Sequence, residues 1–426
     1  MPDPTSTVAF DPGAGMTGDP GTRWQPRYWS IFVGQALSLI GSALTQFVLI
    51  WWITDTTGSV AALATAGMVA LLPQALLGPL GGAFADRHSR RLLMIAADGV
   101  SAICMLVLIA LFLTQHIALW HIYTMMFVRS AMQAFQAPAA AASTAMLVPA
   151  RFLPRASGLN QTMMGIMTVA AAPLGALAIA LMPIGWALGI DVVTALIGIV
   201  PLLIFAIPQH RAPKAQRAGL WREVKEGVHL VWDDPALRRI YGLLAGVVLV
   251  IMPSFTLVPL LVKEHFGGGA EQVAIIEGLG GAGMIAGGLL VAALAPRRLM
   301  LWLLSGYALS CFTLALVALA PADMFWLAVV FWVFSSITFI IGHAPFTTLI
   351  QTTVPNHLQG RVLSLLSTIM GLAAPIGLAL TTPLGELIGI RWLFVLMGAL
   401  GGLVSLLGFL SPVLRRFGAS SRVAER

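Results

Sequence analysis

The sequence predicts an all-α integral membrane protein in which twelve helices cross the bilayer. First, 58% of the 426 residues are hydrophobic and only 10% are charged, whereas a soluble domain carries about 25% charged residues. Second, the chain contains a series of long apolar stretches, and about 20 apolar residues at 1.5 Å per residue cross about 30 Å of hydrocarbon. Third, these stretches are too long for the strands of a membrane barrel and do not alternate polar with apolar residues.

The apolar stretches follow one another along almost the whole chain. The predicted spans are 28–54, 60–85, 92–113, 119–143, 157–182, 185–207, 239–262, 272–295, 299–319, 324–348, 361–382 and 387–411. All but three of the 24 lysines and arginines fall in the segments on one side of this arrangement, the exceptions being Arg129, Lys263 and Arg391. The positive-inside rule therefore predicts that both chain ends lie in the cytosol.

The predicted spans form two groups of six. The predicted units are a disordered cytosolic tail at 1–27, a six-helix bundle at 28–207, a basic cytosolic linker at 208–238, a second six-helix bundle at 239–411 and a cytosolic tail at 412–426. Within the linker, the spacing of apolar residues over 220–231 favours an amphipathic helix at the membrane surface over a loose charged linker.

The two groups of spans look like copies of one unit. Ala137-Pro138, Val148-Pro149 and Ala172-Pro173-Leu174-Gly175 recur in the same order as Ala344-Pro345, Val354-Pro355 and Ala374-Pro375-Ile376-Gly377. Duplicated halves of this kind place a substrate site near the midplane, between them.

A dense basic segment joins the second and third spans. It keeps the spacing G-x-x-x-D-R-x-x-R-R through Gly82, Asp86, Arg87, Arg90 and Arg91. This pattern resembles the loop between spans two and three of major facilitator superfamily transporters, although Ser89 stands where a glycine is usual. A carboxylate among arginines at a helix end can act as a latch between helices, while the alternative is that the basic residues only fix the topology.

Further stretches are similar to the macrolide-efflux branch of this superfamily. They are Gly34 to Ile40, Asp86-Arg87-His88, Ile190-Asp191-Val192, Arg222 to Gly227, Glu264-His265-Phe266 and Gly360-Arg361-Val362. The resemblance implies a major facilitator fold in a bacterial plasma membrane. It also implies export of bulky amphiphilic molecules, such as macrolide-like drugs or natural products, driven by proton entry. A siderophore exporter, a lysolipid transporter of the same fold and a sensor that binds without transport remain alternatives.

Four ionisable residues lie in or near the predicted spans. They are Arg129, Asp98, Asp191 and Glu277. A charge within the membrane costs at least about 2.5 kcal/mol, so each is a candidate for proton coupling or for pairing with another buried charge. Glu277 ranks first as the proton carrier, and for Asp98 a role as partner of Arg90 or Arg91 is at least as strong an interpretation.

The resemblance also implies that spans 1, 4, 7 and 10 line a substrate cavity. On those spans, amide and aromatic side chains suited to amphiphilic ligands are Gln46, Gln133, Gln136, Phe255, Trp332, Phe339 and His343. Packing is the alternative for each aromatic residue, and a hydrogen-bonded interior position is the alternative for His343.

Several other functions are disfavoured. No G-x-x-x-x-G-K-[ST] phosphate loop is present, so ATP hydrolysis through that motif is excluded. The glycines at 278–288 indicate helix packing. The two cysteines predict neither a disulfide nor a metal site. We expect no bound cofactor, no nucleic-acid partner and no enzymatic activity, and we expect a monomer that uses the proton gradient as its energy source.

Overall fold

The computed structural model describes residues 24–207, 231–296, 298–354 and 356–414, and in these ranges the chain is helical with no strand. The predicted tails before residue 24 and after residue 414, and most of the predicted surface helix in the linker, lie outside these ranges. Within some helices, the side chains of a few residues, including Asp86, are also outside the described set.

The first half of the bundle, called the N half, comprises residues 24–207. Its helices are α1 Trp24–Thr57, α2 Val60–Arg87, α3 Arg90–Leu113, α4 Leu119–Leu147, α5 Leu153–Leu181, α6 Ile184–Ala187 and α7 Gly189–Ile204. Ser59 and Ser89 cap α2 and α3, because each hydroxyl accepts a hydrogen bond from a backbone N–H of the first turn.

The second half, called the C half, comprises residues 231–414. Its helices are α8 Pro235–Phe266, α9 Ala270–Leu294, α10 Leu299–Leu319, α11 Phe325–Thr353, α12 Asn356–Ile388 and α13 Ile390–Leu410. The repeated prolines fall on equivalent helices of the two halves. Pro138 lies within α4 and Pro345 within α11, while Pro173 lies within α5 and Pro375 within α12.

Several helix bounds differ from the predicted spans by up to six residues, as in α12, which is Asn356–Ile388 rather than 361–382. Helix α1 begins at Trp24 rather than at 28, and α8 begins at Pro235, so 235–238 is helical and not part of a linker. The sixth span is divided at Leu188 into α6 and α7 instead of being continuous. This division gives α7 its own N-terminus, with Asp191 in its first turn, where the helix dipole favours a carboxylate.

Eleven helical segments in the described ranges are long and apolar enough to cross a membrane. Helix α4 is missing from that set although it has 29 residues. Its sequence includes Arg129, Gln133 and Gln136, which lower its mean hydropathy. The fourth predicted span, which brings the total to twelve, is therefore present as a long helix. Its polar side chains must be satisfied inside the protein.

The two ends of the bundle differ in chemistry. One end, called the basic end, holds the turn between α2 and α3 with its arginines. The opposite end, called the distal end, holds tight turns at Gly58, Gly267 and Gly389, each with a positive φ that glycine adopts without strain.

The hydrophobic core shows how the halves meet. At the distal end a single cluster of buried residues takes members from both halves, such as Leu49 and Ile53 of α1 and Leu260 and Leu261 of α8. Toward the basic end the core divides into two separate clusters, one in each half. Helices α2 and α12, and helices α5 and α9, pack across the boundary. The halves are thus joined at the distal end and have separate cores at the basic end.

Candidate transport site

A buried ion pair lies in the middle of the N half. The Arg129 guanidinium on α4 donates to the Asp191 carboxylate on α7 at 2.8 Å, and the side chain of Asp191 is only 2% exposed. Ser42 of α1 donates to the other carboxylate oxygen at 2.9 Å. Three helices therefore meet at Asp191. Helices α4 and α1 each supply a donor that satisfies the buried carboxylate of α7.

Close packing of α1 against α7 makes this meeting possible. A β-carbon on Gly41 would clash with the Thr194 hydroxyl oxygen and lie 3.2 Å from the Asp191 α-carbon. A β-carbon on Gly34 would lie 2.9 Å from the carbonyl oxygen of Ile197. Gly34 and Gly41 lie two turns apart on the same face of α1, and they let the two backbones approach, as small residues do in membrane helices generally.

A second polar group lies nearer the basic end. Asp98 on α3 is 8% exposed and accepts hydrogen bonds from Gln35 at 3.0 Å and from Gln136 at 3.4 Å. The Gln136 amide also donates to the Gln35 carbonyl oxygen at 2.7 Å, and Gln133 donates to the Gln136 carbonyl oxygen at 3.3 Å. In the described residues Asp98 pairs with neither Arg90 nor Arg91; it is held by amides instead.

A cavity of about 530 Å³ adjoins these amides. It is lined by the basic-end portions of α1, α4 and α5 and by one residue of α3, so all of its lining belongs to the N half. Gln35, Gln133 and Gln136 form its polar wall, while Phe32 and Met164 are among its apolar lining residues. Such a combination of apolar walls and a few convergent polar groups is typical of small-molecule sites.

The predicted cavity residues of the C half occupy other positions in this conformation. Trp332 and Phe339 are only 3% and 6% exposed, and both make edge-on ring contacts with Phe255 inside the C half. His343 stacks on Phe339 and lies 3.0 Å from the Tyr307 hydroxyl, as expected of a hydrogen-bonded interior histidine. Of the predicted lining residues, Gln133 and Gln136 border the cavity, whereas Gln46 is half-buried outside it.

Glu277 is a carboxyl within a membrane-spanning helix of the C half. It is half-buried on α9 and makes no hydrogen bond or ion pair with the described residues. Its neighbours three and four positions later, Gly280 and Gly281, contact Trp332 of α11 and Thr168 of α5 respectively. Since residues three and four apart share a helix face, Glu277 projects between α11 and α5 and toward the interior of the molecule. Gly283 and Gly287 lie against the α11 backbone, which confirms the helix-packing interpretation of these glycines.

Two arginines of the basic motif bind backbone carbonyl groups within the N half. Arg90 is buried and donates to the Ala142 carbonyl oxygen at 3.1 Å. Arg91 donates to the carbonyl oxygens of Leu202 and Leu203 at the end of α7. Cations are favourable at a helix C-terminus, where carbonyl groups lack intrahelical partners. Arg87 is exposed, and a β-carbon on Gly82 would meet open space; the predicted latch through Asp86 rests on a side chain outside the described set.

Two charged residues of the C half close the distal end. The Lys263 ammonium lies 3.1 Å from the Asp55 carboxylate and also donates to backbone carbonyl oxygens at the end of α1. The Glu386 carboxylate accepts from the Ser59 hydroxyl at 3.0 Å and from the Ala61 N–H at 2.8 Å, at the start of α2. Each charge has the sign that its helix end favours. We call these two contacts the distal clamp.

Reasoning from the sequence missed several of these residues. Gln35, Ser42 and Glu386 were not among the predicted site residues, yet each contacts a functional group described above. An amide within an apolar span, such as Gln35, was a usable signal because burying it unpaired is costly. Ser42 and Glu386 carry no such signal, since small hydroxyls and charges near helix ends are common.

The fold and site define a class of protein. The chain is a multi-pass membrane protein of two helical halves, closed at one end, with a polar-walled cavity toward the other. It belongs to the Major Facilitator Superfamily, whose family model matches residues 31–378. It is a transporter and not an enzyme.

Relatives agree with this assignment. The chain is 31% identical over 382 residues to "Macrolide efflux protein A" of Streptococcus pyogenes, covering 88% of this chain and 94% of the relative. It is 23% identical to "Multidrug efflux pump Tap" of Mycolicibacterium fortuitum, covering 90% of this chain and 95% of the relative. In fold it resembles the inward-facing, unoccupied crystal structure of a bacterial homologue of the human lysosomal transporter Spinster. That match has a TM-score of 0.70 and 14% identity, and it covers 94% of this chain and 99% of the other.

Proposed function

We propose that this transporter exports bulky amphiphilic small molecules from the cytosol of a bacterium by alternating access coupled to proton entry. The observation that carries the proposal is the one-sided arrangement of the molecule. The distal clamp and the shared core join the halves at one end, while the cavity and the divided core lie toward the other. An arrangement of this kind corresponds to one of the two states of an alternating-access transporter.

Charge supports the direction. Most lysines and arginines of the chain fall in the segments assigned to the basic end, and such segments remain in the cytosol under the positive-inside rule. The cavity would then face the cytosol, where an exporter collects its substrate. The similarity to proteins named for macrolide and multidrug efflux supports the same direction.

The coupling step requires a group that changes charge inside the membrane. Glu277 suits this role because no cation in the described residues neutralises it and it lies beside the α5–α9 contact between the halves. Asp191 suits it less, because Arg129 already compensates its charge. Protonation of Glu277 would remove a buried charge and so bias the equilibrium between the two packings of α9 against α5.

Transport in everted membrane vesicles tests the proposal. A panel of amphiphilic drugs, siderophores and lysolipids would be supplied to vesicles from a strain that lacks its own pumps, with and without a proton gradient. We expect gradient-dependent uptake of amphiphilic drugs into the vesicles. Uptake that is unchanged after collapse of the gradient would reject proton coupling, and transport restricted to siderophores or lysolipids would reassign the substrate.

A further inference from the structure

A groove on the surface of the C half lies apart from the cavity described above. It runs between α8 and α13 at the basic end and has a volume of about 390 Å³. None of the residues that line it also lines the cavity of the N half. Its lining includes Arg239 and Leu243 of α8, and Val404, Leu407, Gly408 and Ser411 on the side of α13.

Most of this groove is apolar. Leu243 is 7% exposed and forms part of its floor, while Leu407 and Leu410 are 52% and 74% exposed along its edge. Both exposed leucines belong to a helix that is long and apolar enough to cross a membrane, so they lie where lipid chains pack. The groove therefore offers a hydrocarbon chain an apolar channel that is open along one side.

A cation lies at the end of the groove. The Arg239 guanidinium donates to the Ser411 hydroxyl at 3.1 Å, just beyond the last residue of α13. A guanidinium has five N–H donors, yet Arg239 forms no other hydrogen bond and no ion pair within the described residues. The Ser411 O–H has no acceptor among these residues either. Hydrogen-bond donors that lack acceptors therefore lie together beside an apolar groove.

The groove lies at the level of the membrane surface. Trp232, three residues before α8, is 64% exposed, and the Arg238 guanidinium lies 5.8 Å from the centroid of its ring. Tryptophan and arginine are enriched where the hydrocarbon meets water. The positive-inside rule assigns the basic end to the cytosol, and the cytosolic leaflet contains anionic lipids, whose headgroups bind in basic pockets between membrane helices.

We propose that this groove binds an anionic phospholipid. The lipid phosphate accepts hydrogen bonds from Arg239 and Ser411, and an acyl chain lies along Leu243 and Leu407. Charge and shape together select this occupant, because arginine binds phosphate through parallel N–H donors and the apolar groove matches a hydrocarbon chain. A free phosphate ion would leave the groove empty, and a zwitterionic lipid would bring no net charge to Arg239. The site is independent of the molecule that is transported.

Native mass spectrometry of the purified full-length protein in detergent tests the proposal. The protein would be titrated with dioleoyl phosphatidylglycerol, which is anionic, and separately with dioleoyl phosphatidylcholine, which is zwitterionic and has the same chains. The measured quantities are the dissociation constants for the first bound lipid. We expect the wild type to bind phosphatidylglycerol about fivefold more tightly, because the choline cation of the other lipid offsets the charge of its phosphate.

Two variants separate the headgroup contact from the chain contact. In Arg239→Gln we expect the dissociation constant of phosphatidylglycerol to rise by about tenfold, as for loss of a charge-assisted hydrogen bond. This variant should then bind the two lipids about equally. Leu407→Trp places a larger side chain at the edge of the groove and should weaken both lipids by about fourfold, as for one methylene group that loses its apolar contact.

Each variant has a matched control. Arg298 is an exposed arginine at the same end of the C half, directly before α10 and outside the groove. Leu403 is 52% exposed, as Leu407 is, and lies one turn away on α13 outside the groove lining. Arg298→Gln and Leu403→Trp should therefore bind both lipids like the wild type.

Three results would overturn the proposal. Phosphatidylglycerol binding that is unchanged in Arg239→Gln, or weakened as much by Arg298→Gln, would mean that the lipid does not bind through Arg239 specifically. Unchanged binding of both lipids in Leu407→Trp would show that the acyl chain does not lie in the groove. Displacement of the lipid by an equal concentration of inorganic phosphate would make this a site for a free anion instead of a lipid.

Discussion

The two halves of this transporter repeat the same order of helices but contain different polar chemistry. In the N half, Arg129, Asp191 and Asp98 all have hydrogen-bonding partners. In the C half, Glu277 stands without a partner among the described residues, and His343 with Tyr307 lies in an aromatic core. Duplication of a fold thus leaves each copy free to acquire its own chemistry: the cavity lies in the N half, and the proposed coupling residue lies in the C half.

The largest expected effect comes from breaking the ion pair of the N half. Arg129→Met leaves the Asp191 carboxylate buried without its cation, and we expect a loss of about 3–5 kcal/mol of stability. The double variant Arg129→Met with Asp191→Asn should recover most of that loss, because it removes the orphaned charge. The stabilities of the single and double variants would be measured by heating each protein and monitoring the folded fraction by size-exclusion chromatography. A double variant no more stable than the single one would contradict a structural ion pair.

Neutralising Glu277 in the C half should not lower the stability of the protein, in contrast to Arg129→Met. Glu277→Gln removes a costly buried charge, so we expect unchanged or higher thermal stability. We also expect gradient-driven transport to fall by about tenfold or more, since an amide cannot carry the proton.

Glu271→Gln is the control for this variant, because Glu271 is an exposed carboxylate on the same helix. It should transport like the wild type. If Glu277→Gln transports at the wild-type rate, Glu277 is not the coupling residue. The proposed functional contrast between the halves would then be wrong.

The smallest effect is expected where the halves meet. Lys263→Gln and Glu386→Gln each remove one contact of the distal clamp, and exposed ion pairs contribute about 0.2–1 kcal/mol. Their combination should therefore increase the population open at the distal end by only a fewfold.

Distances between spin labels at His116 and Asp323, which lie in exposed distal loops of the two halves, would report this shift. Glu271→Gln should again leave the distribution unchanged. An unaltered distribution in the Lys263→Gln, Glu386→Gln double variant would show that the shared hydrophobic core alone closes the distal end.

Much of the fold followed from local patterns in the sequence. Hydropathy located the helices to within a few residues, because each helix must satisfy its own backbone in lipid. The break at Leu188 was missed, although Gly189 directly after it is a residue that can interrupt a helix. The buried charges were recognised individually from their cost, and Arg129 was expected to have a carboxylate partner, but the identity of that partner was open.

What the sequence alone determined is the set of membrane helices, the charge asymmetry between the two ends and the family motifs. These properties depend on residues close together in the chain. Only the tertiary structure decided that Arg129 pairs with Asp191, that Asp98 is held by Gln35 and Gln136, and that Trp332 is a core residue. The reason is geometric: each helical residue is rotated by about 100° from the one before, so which polar groups face one another depends on how helices pack.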